Sequence, residues 1–534
     1  MRILSVVVFC LAVSSTLRAA APGATPAPET VDTAAISRII DEGMNRSQVM
    51  ETLLGVTDVN GPRLTWSPGY ARAVEYLIAR MSAWGLENPH VERWAPLGVG
   101  WTLQEFSANV LTPYAFPLHA YPRAWSNGVR GTVRADVVHL EAASDSALQL
   151  YRGKLKGRFV LLGDSVEFDS PFQPVATRET DSSLLVLANA GTERRGRRPG
   201  GTPGGGMQRW ILAMRKLELC QEEKAAGILF PSRSESGILA VQGVTVPDHP
   251  DTPFANRLQA YDRIRKELIP QISVSADHYN RMLRLVHAGK QVTLELELEV
   301  EATPPDSGAN VIAEIPGTDL RDEVVMVGGH LDSWHGGTGG NDNGTGVATS
   351  MEAMRILKAL GVKPRRTIRI GLWGGEEQGL YGSEAYVSAH LGKAVDDTSA
   401  PRGKRYEYKP EAEKFCAYFN NDNGTGRIRG IYLQGNEALR PIFRKWLEPF
   451  RDKGAFTITP LPTGGTDILS FNEIGLPGFQ FIQDDIDYFT RTWHTTSDTY
   501  DRALPDDLKQ ASVIMATFIY NAAMRDEPLP RKQW

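Results

Sequence analysis

The sequence is poor in cysteine, has no excess of positive charge and lacks long apolar runs, and each shortage excludes a class of protein. Three of its 534 residues are cysteine, so disulfides do not build the fold and a hydrophobic core must hold it. Lysine and arginine number 58 against 63 acidic residues, a net charge of −5, and we expect no nucleic-acid partner. The one dense basic run, residues 194–198, lies among glycine and proline and is interpreted as a solvated loop. No run of about 18 apolar residues occurs, so we expect no membrane span.

Residues 1–20 have the pattern of a secretory signal peptide. A positively charged start precedes apolar residues 3–13, and small residues occupy positions 19–21, where cleavage is expected. We therefore expect an exported protein, either periplasmic or extracellular. Its mature form keeps Cys220 and Cys416, and the sequence leaves open whether they pair.

Changes in the residue pattern along the chain predict three regions after the signal peptide. Residues 31–124 are interpreted as the first part of a main domain, residues 125–300 as a β-rich insert and residues 301–527 as the rest of the main domain. Within the insert, residues 292–300 alternate between apolar and polar side chains, which predicts a half-buried antiparallel strand.

The last region alternates between strand and helix patterns. Residues 324–327 and 367–373 predict buried strands, and residues 348–360 and 380–391 predict helices. We therefore predict an α/β fold with a mixed, mostly parallel sheet flanked by helices.

The first chemical motif follows the predicted strand 324–327. His330 lies at its carboxyl end, where open α/β sheets bind ligands, and Asp332 can fix the imidazole tautomer through a hydrogen bond. Asp342 lies in a loop of glycine and asparagine, where its carboxylate is free to bridge two cations. A solvated aspartate turn explains the loop equally well.

Two adjacent carboxylates, Glu376 and Glu377, follow the next predicted strand between glycine pairs. Carboxylates at the end of an apolar strand are costly to bury without a cation, which indicates a metal ligand beside a general base. The alternative is an acidic helix N-terminus. Asp422 and His494 are weak signals alone, but with His330, Asp342 and Glu377 they give two imidazoles and three carboxylates, a set that suits zinc.

The order of these residues resembles the zinc exopeptidases of the M28 family. The shared pattern is His330-x-Asp332, then Asp342, then Glu376-Glu377, then Asp422, then His494. The segments 330–334, 465–468 and 484–485 are similar to a carboxypeptidase branch of the family, and the insert is similar to a protease-associated domain.

Carried over residue by residue, the resemblance implies two zinc ions per chain bridged by Asp342. It assigns His330 and Asp422 to one ion, and Glu377 and His494 to the other.

The same resemblance implies catalytic roles. Glu376 is the general base that takes the proton of the metal-bound water, and Asp332 supports His330. Apart from the resemblance, Tyr488 is a candidate hydrogen-bond donor to the oxyanion, although a buried tyrosine in such a stretch is more often part of the core. The expected substrates are dipeptides or short peptides with free termini, and a homodimer is possible.

Other functions remain open at this point. Aminopeptidases of the family share the same ligands, so removal of N-terminal residues is the main alternative. A glutaminyl cyclase or a catalytically inactive binding protein is a further alternative. The charged segment 396–413 lengthens the gap before Asp422, and His335 stands where relatives tend to carry an acid, so the substrate pocket differs from the family pattern.

Overall fold

A computed structural model describes residues 29–168, 172–191, 205–233, 237–248, 252, 256–262, 268–400 and 403–532. The expected signal peptide and the basic run 194–198 lie outside these residues. Within them, every helix is too short or too polar to cross a membrane.

The helices and strands follow in chain order. The α-helices of the described residues are α1 (Thr33–Asn45), α2 (Val49–Val56), α3 (Pro68–Ala83), α4 (Asp145–Gln149), α5 (Asp181–Ala188), α6 (Gly205–Glu222), α7 (Ala276–His287), α8 (Thr345–Ala359), α9 (Tyr381–Tyr386), α10 (Pro410–Lys414), α11 (Arg440–Leu447), α12 (Ile468–Glu473) and α13 (Pro505–Met524). The strands are β1 (Glu87–Gly98), β2 (Trp101–Thr112), β3 (Phe116–Pro117), β4 (Ala120–Pro122), β5 (Val133–His139), β6 (Phe159–Leu161), β7 (Gly227–Pro231), β8 (Gln271–Val274), β9 (Thr293–Ala302), β10 (Asp306–Ile315), β11 (Leu320–His330), β12 (Arg366–Trp373), β13 (Gly392–Asp396), β14 (Lys404–Tyr408), β15 (Phe415–Asn420), β16 (Ile428–Tyr432), β17 (Thr457–Thr459) and β18 (Gly478–Gln483).

The main sheet has eight strands in the order β1-β10-β12-β11-β15-β18-β16-β17. Its four central strands, β12, β11, β15 and β18, are mutually parallel, while β10 and β16 join them antiparallel. The prediction of a mixed, mostly parallel α/β sheet is confirmed.

Helices cover both faces of this sheet. Because adjacent residues of a strand point to opposite faces, Val327 packs toward α8 and α13, whereas Met326 packs toward α9 and α12. Phe419 is fully buried on the first face, and truncating such a side chain typically costs about 3–5 kcal/mol. Two dense cores therefore hold the strand ends in fixed positions.

A second eight-stranded sheet, in the order β3-β2-β9-β5-β6-β7-β8-β4, lies between β1 and β10 in sequence. The strand predicted over residues 292–300 is β9, which pairs antiparallel with both β2 and β5. The sheet begins at Trp101, earlier than the predicted boundary at residue 125. The residue pattern does not indicate this start of the second sheet, because β1 and β2 form a nearly continuous extended run joined by Val99 and Gly100.

Loops of the second sheet's region contact the loops that follow β18 at two places. Residues 239–241 pair with residues 494–496, and Thr177 pairs with Ile486. Arg178 adds ion pairs of 2.7 Å to both Asp484 and Asp507.

Two further sequence features have a defined structure. The charged segment 396–413 forms part of a hairpin of β13 and β14, followed by α10. Cys220 and Cys416 are buried and unpaired.

Candidate metal centre

The candidate site lies where the central parallel strands of the main sheet end. His330 is the last residue of β11, Glu376 and Glu377 follow β12, and Asp422 follows β15. The carboxyl ends of parallel strands meet at one edge, which is why residues so distant in sequence come together. His494 reaches the same place from the segment after β18.

The five candidate ligands form two clusters that share one carboxylate. In the deep cluster, His330 Nε2 lies 3.3 Å from Asp342 Oδ1 and 3.4 Å from Asp422 Oδ1. In the shallow cluster, His494 Nε2 lies 3.4 Å from Asp342 Oδ2 and 2.9 Å from Glu377 Oε2. The ligand atoms within each cluster lie within 4.8 Å of one another. Asp342 therefore faces each cluster with a different oxygen.

The loop that carries Asp342 is held by two residues that the sequence patterns did not indicate. The carboxylate of Asp498 accepts hydrogen bonds from the backbone N–H groups of Asn341 (2.5 Å) and Asp342 (3.1 Å). The guanidinium of the buried Arg63 donates to the carbonyl groups of Thr338 (2.6 Å) and Gly339 (2.9 Å). Two buried polar side chains from distant segments thus hold the backbone of the loop that carries Asp342.

Asp332 supports the site differently from the expectation. His330 Nδ1 donates to the backbone carbonyl of Asp332 at 3.0 Å, whereas the carboxylate oxygen Oδ1 is 3.6 Å away. The carboxylate instead accepts hydrogen bonds from the N–H groups of Glu376 (3.1 Å) and Glu377 (3.3 Å) and from Thr65 Oγ1 (3.0 Å). Asp332 therefore fixes the His330 tautomer through its main chain and orients the adjacent glutamates through its side chain.

The turn that carries these glutamates depends on Gly375. Its φ of +74° is a left-handed conformation, and a Cβ there would lie 2.7 Å from Trp94. The chain therefore leaves β12 sharply before Glu376.

Aromatic side chains surround the shallow cluster. Trp334 Nε1 donates to Glu377 Oε2 at 2.8 Å, and the Trp493 ring stacks on His494 with centroids 4.0 Å apart. The carbonyl of His494 accepts from the N–H of Val241, a residue of the second sheet's region, at 2.8 Å.

Burial and crowding of charge shift the pKa values of the cluster. Burial together with the Asp342 carboxylate raises the pKa of Glu377 well above its usual value. Burial also raises the pKa of Glu376, and the carboxylates of Asp422 and Glu377 act in the same direction. Burial also tends to raise the pKa of Asp342, but the imidazoles of His330 and His494 outweigh this effect and hold the pKa below its usual value.

Several buried oxygens of the site lack a hydrogen-bond partner among the described residues. They include Asp342 Oδ2 and Glu377 Oε1, one from each side of the shallow cluster. Buried carboxylates without partners are strongly disfavoured unless a cation compensates them. The donor set of two imidazoles and three carboxylates fits a metal of the zinc type.

Two more buried residues lie beside the clusters. Asp467 has both carboxylate oxygens unpartnered among the described residues, and burial raises its pKa to about 7. Tyr488 is buried among Asp342, Asp422 and Glu377, and burial with these carboxylates raises its pKa, so its hydroxyl stays protonated.

Comparison with known proteins agrees with this geometry. Residues 310–519 match the family model of Peptidase family M28. Carboxypeptidase Q from Mus musculus is 26% identical over 501 residues, which cover 93% of this chain and 90% of that protein. Carboxypeptidase Q from Homo sapiens is 30% identical over 264 residues, covering 49% of this chain and 52% of that protein.

Solved structures share the fold across nearly the whole chain. A peptidase M28 precursor from Shewanella amazonensis SB2B superposes with a TM-score of 0.65 at 24% identity, covering 93% of this chain and 99% of that one. A zinc aminopeptidase from Bacillus subtilis superposes with a TM-score of 0.55 at 17% identity, covering 90% and 96%.

Proposed function

Because residues 310–519 match the family model of Peptidase family M28, we propose that the chain is an exopeptidase using two zinc ions to cleave dipeptides or short peptides with free termini. The deep cluster (His330, Asp342 and Asp422) would hold one ion, and the shallow cluster (Asp342, Glu377 and His494) would hold the other. The observation that carries the proposal is the shared carboxylate of Asp342, which turns Oδ1 to one imidazole and Oδ2 to the other.

The chemistry divides between the metal and the side chains. Bound zinc would supply Lewis acidity and lower the pKa of a water molecule. Glu376, oriented by the hydrogen bond from its N–H to Asp332, takes a proton from the attacking water and delivers it to the leaving amine. General acid–base catalysis of this kind is typically worth about 10²–10⁴ in rate. Tyr488, protonated and buried beside the ligands, donates a hydrogen bond to the oxygen that gains charge.

The substrate class rests on the relatives and on the position of the second sheet. The similarity to carboxypeptidase Q of the mouse extends over 93% of this chain and so includes the insert. Residues 239–241 of the insert contact the segment that carries His494. We propose that the insert, a protease-associated-like domain, covers the cleft and admits only short peptides. Export through the signal peptide is part of the same proposal.

A defined peptide series tests which terminus of the substrate the enzyme recognises. It contains a free dipeptide, its N-acetylated form, its C-amidated form and a free pentapeptide, each incubated with and without a chelator and analysed by mass spectrometry. We expect chelator-sensitive cleavage that requires both free ends. Stepwise loss of N-terminal residues from the amidated and longer peptides would instead identify an aminopeptidase. No cleavage of any member would contradict the exopeptidase proposal.

The number of zinc ions is tested separately by comparing variants. Plasma mass spectrometry counts zinc per chain in the wild type and in Asp342→Ala, and we expect two fewer ions in the variant because both clusters lose a ligand. Thr463→Ala, a change in a half-buried loop outside both clusters, serves as the control and should keep the wild-type count. An unchanged count in Asp342→Ala would contradict a shared ligand.

A further inference from the structure

A third group of ligand side chains lies in the second sheet, apart from both clusters of the candidate active site. His139 Nδ1 lies 3.0 Å from His287 Nε2 and 3.9 Å from Glu141 Oε2, and His287 Nε2 lies 4.0 Å from the same oxygen. All three ligand atoms fall within 4.8 Å of one another. Two imidazoles and one carboxylate at these spacings can converge on one ion.

The three residues come from two rigid elements. His139 is the last residue of β5, Glu141 follows two positions later, and His287 is the last residue of α7. The carbonyl ends of a helix carry a partial negative charge that favours a cation. An ion here would therefore tie the end of β5 to the end of α7.

A hydrogen bond prepares His139 for this role. Its Nε2–H donates to the carbonyl of Gly163 at 3.2 Å, and the Tyr279 hydroxyl donates to the same oxygen at 2.9 Å. The lone pair is then on Nδ1, the atom that faces His287 and Glu141. Metal-binding histidines are oriented by this kind of contact between the second ring nitrogen and a carbonyl.

We propose that His139 Nδ1, His287 Nε2 and Glu141 bind a divalent ion of the zinc type, at a site that leaves a coordination position open to water. His139 is mostly buried, whereas His287 is half-exposed and Glu141 is exposed, so the ion enters from solvent. In the ion-free protein, the proton between the two rings is on His287 Nε2. On binding, that proton moves through water to the other ring nitrogen of His287, so that Nε2 presents its lone pair to the ion.

The electrostatics predict weaker binding than at the active site. Burial lowers the pKa of His139, so this imidazole is neutral near pH 7 and ready to bind. The site has one carboxylate, and the positive charge of the nearby Lys216 disfavours the binding of a cation. The candidate active site has three carboxylates among its ligands. The third ion should therefore be the first that a chelator removes.

The test counts zinc per chain in protein equilibrated with buffered zinc, using the full chain. The wild type should hold one more ion than His287→Ala and one more than Glu141→Gln. His278→Ala, which changes another histidine of α7, should keep the wild-type count. Because Glu141 is exposed, its substitution leaves folding intact even if His287→Ala does not.

Two further measurements separate this site from the active site. The difference of one ion should persist in an Asp342→Ala background, where the proposed active-site ions are lost, so the two proposals can fail independently. Zinc should also raise the midpoint of thermal unfolding more in that background than in Asp342→Ala/Glu141→Gln. Equal zinc counts with and without Glu141→Gln would overturn the site and leave the histidine pair as a structural hydrogen bond.

Discussion

The deep and shallow clusters share Asp342 but are held in place by different parts of the molecule. His330 is 1% exposed and ends a central strand, and its partner Asp422 follows the neighbouring strand. His494 is 27% exposed, has a left-handed φ of +54° and belongs to an irregular segment. Its position depends on Trp334, on Trp493 and on the second sheet's contact through Val241.

This difference indicates that the two proposed ions would depend on different structural supports. The packed cores of the main sheet fix the deep cluster, because shifting His330 would disrupt buried strands on both sides. The shallow cluster is fixed by side-chain and loop contacts that cross between the sheets. We therefore expect the shallow ion to exchange more readily and to respond to changes in the second sheet.

The largest effects should come from removing one imidazole at a time. Both His330→Ala and His494→Ala should lower kcat/KM by about 1,000-fold, or about 4 kcal/mol of transition-state stabilisation. In the metal-free protein, only His330→Ala should also lower the midpoint of thermal unfolding, because it leaves a buried cavity beside Asp342 and Asp422. Calorimetry and steady-state kinetics check this. Equal destabilisation by the two variants would contradict the distinction between the clusters.

The pH dependence of the metal-free protein should reflect the buried carboxylates of the site, Asp467 among them. Burial raises the pKa of Asp467 from 3.8 to about 7, so between these values the folded state retains a proton that the unfolded state releases. Its contribution to stability is present below pH 3.8 and lost as the pH rises to 7, at about 1.4 kcal/mol per pH unit for one retained proton. Denaturant titrations of chelated protein should show this decline. Asp467→Asn should make the decline shallower by the share of one proton, whereas Trp334→Phe, which removes no titrating group, should leave it unchanged.

A smaller effect is expected from Trp334→Phe, which removes the hydrogen bond to Glu377 but keeps an aromatic ring. Losing a residue that orients a metal ligand typically costs about 10–100-fold in metal affinity. The variant should lose affinity only for the ion of the shallow cluster. Competition with a zinc chelator measures it, and Trp493→Phe, which keeps the stacked ring on His494, is the control. Loss of both ions together would show that the clusters do not act separately.

The smallest effect should come from Val241→Pro, which removes the N–H that donates to the His494 carbonyl. One neutral hydrogen bond contributes about 1 kcal/mol, so zinc should leave the shallow cluster about fivefold faster. Val241→Ala shortens the same side chain but keeps the N–H, and its release rate should be nearer to the wild type. Stopped-flow release into a fluorescent chelator compares the two. Equal rates would mean that the second sheet does not position His494.

The sequence predicted the parts of the site that depend on local pattern. The strand ending at His330 and the glycines around Glu376 are local signals, and the structure brings together all five candidate ligands. Arg63 and Asp498 were missed because their roles depend on contacts with residues more than 150 positions away in sequence. The one local signal for Asp498 is its position four residues after the candidate ligand His494.

Other details depend on geometry that a sequence does not contain. The expectation that the Asp332 carboxylate holds His330 was reasonable for an extended chain, but the carbonyl lies nearer and the carboxylate turns toward Glu376 and Glu377. The start of the second sheet at Trp101 was missed because β1 and β2 differ in hydrogen-bond partner rather than in composition.

The most direct measurement is the zinc content and the turnover of Glu376→Gln beside Glu377→Gln. These adjacent substitutions make the same chemical change, but Glu377 lies 2.9 Å from His494 Nε2 and Glu376 belongs to neither cluster of ligand atoms. We predict that Glu376→Gln keeps the wild-type zinc count and loses about 10²–10⁴ in kcat, the contribution of a general base. Glu377→Gln should lose one ion. Loss of zinc in Glu376→Gln, or full turnover with zinc retained, would contradict the proposed division between ligands and base.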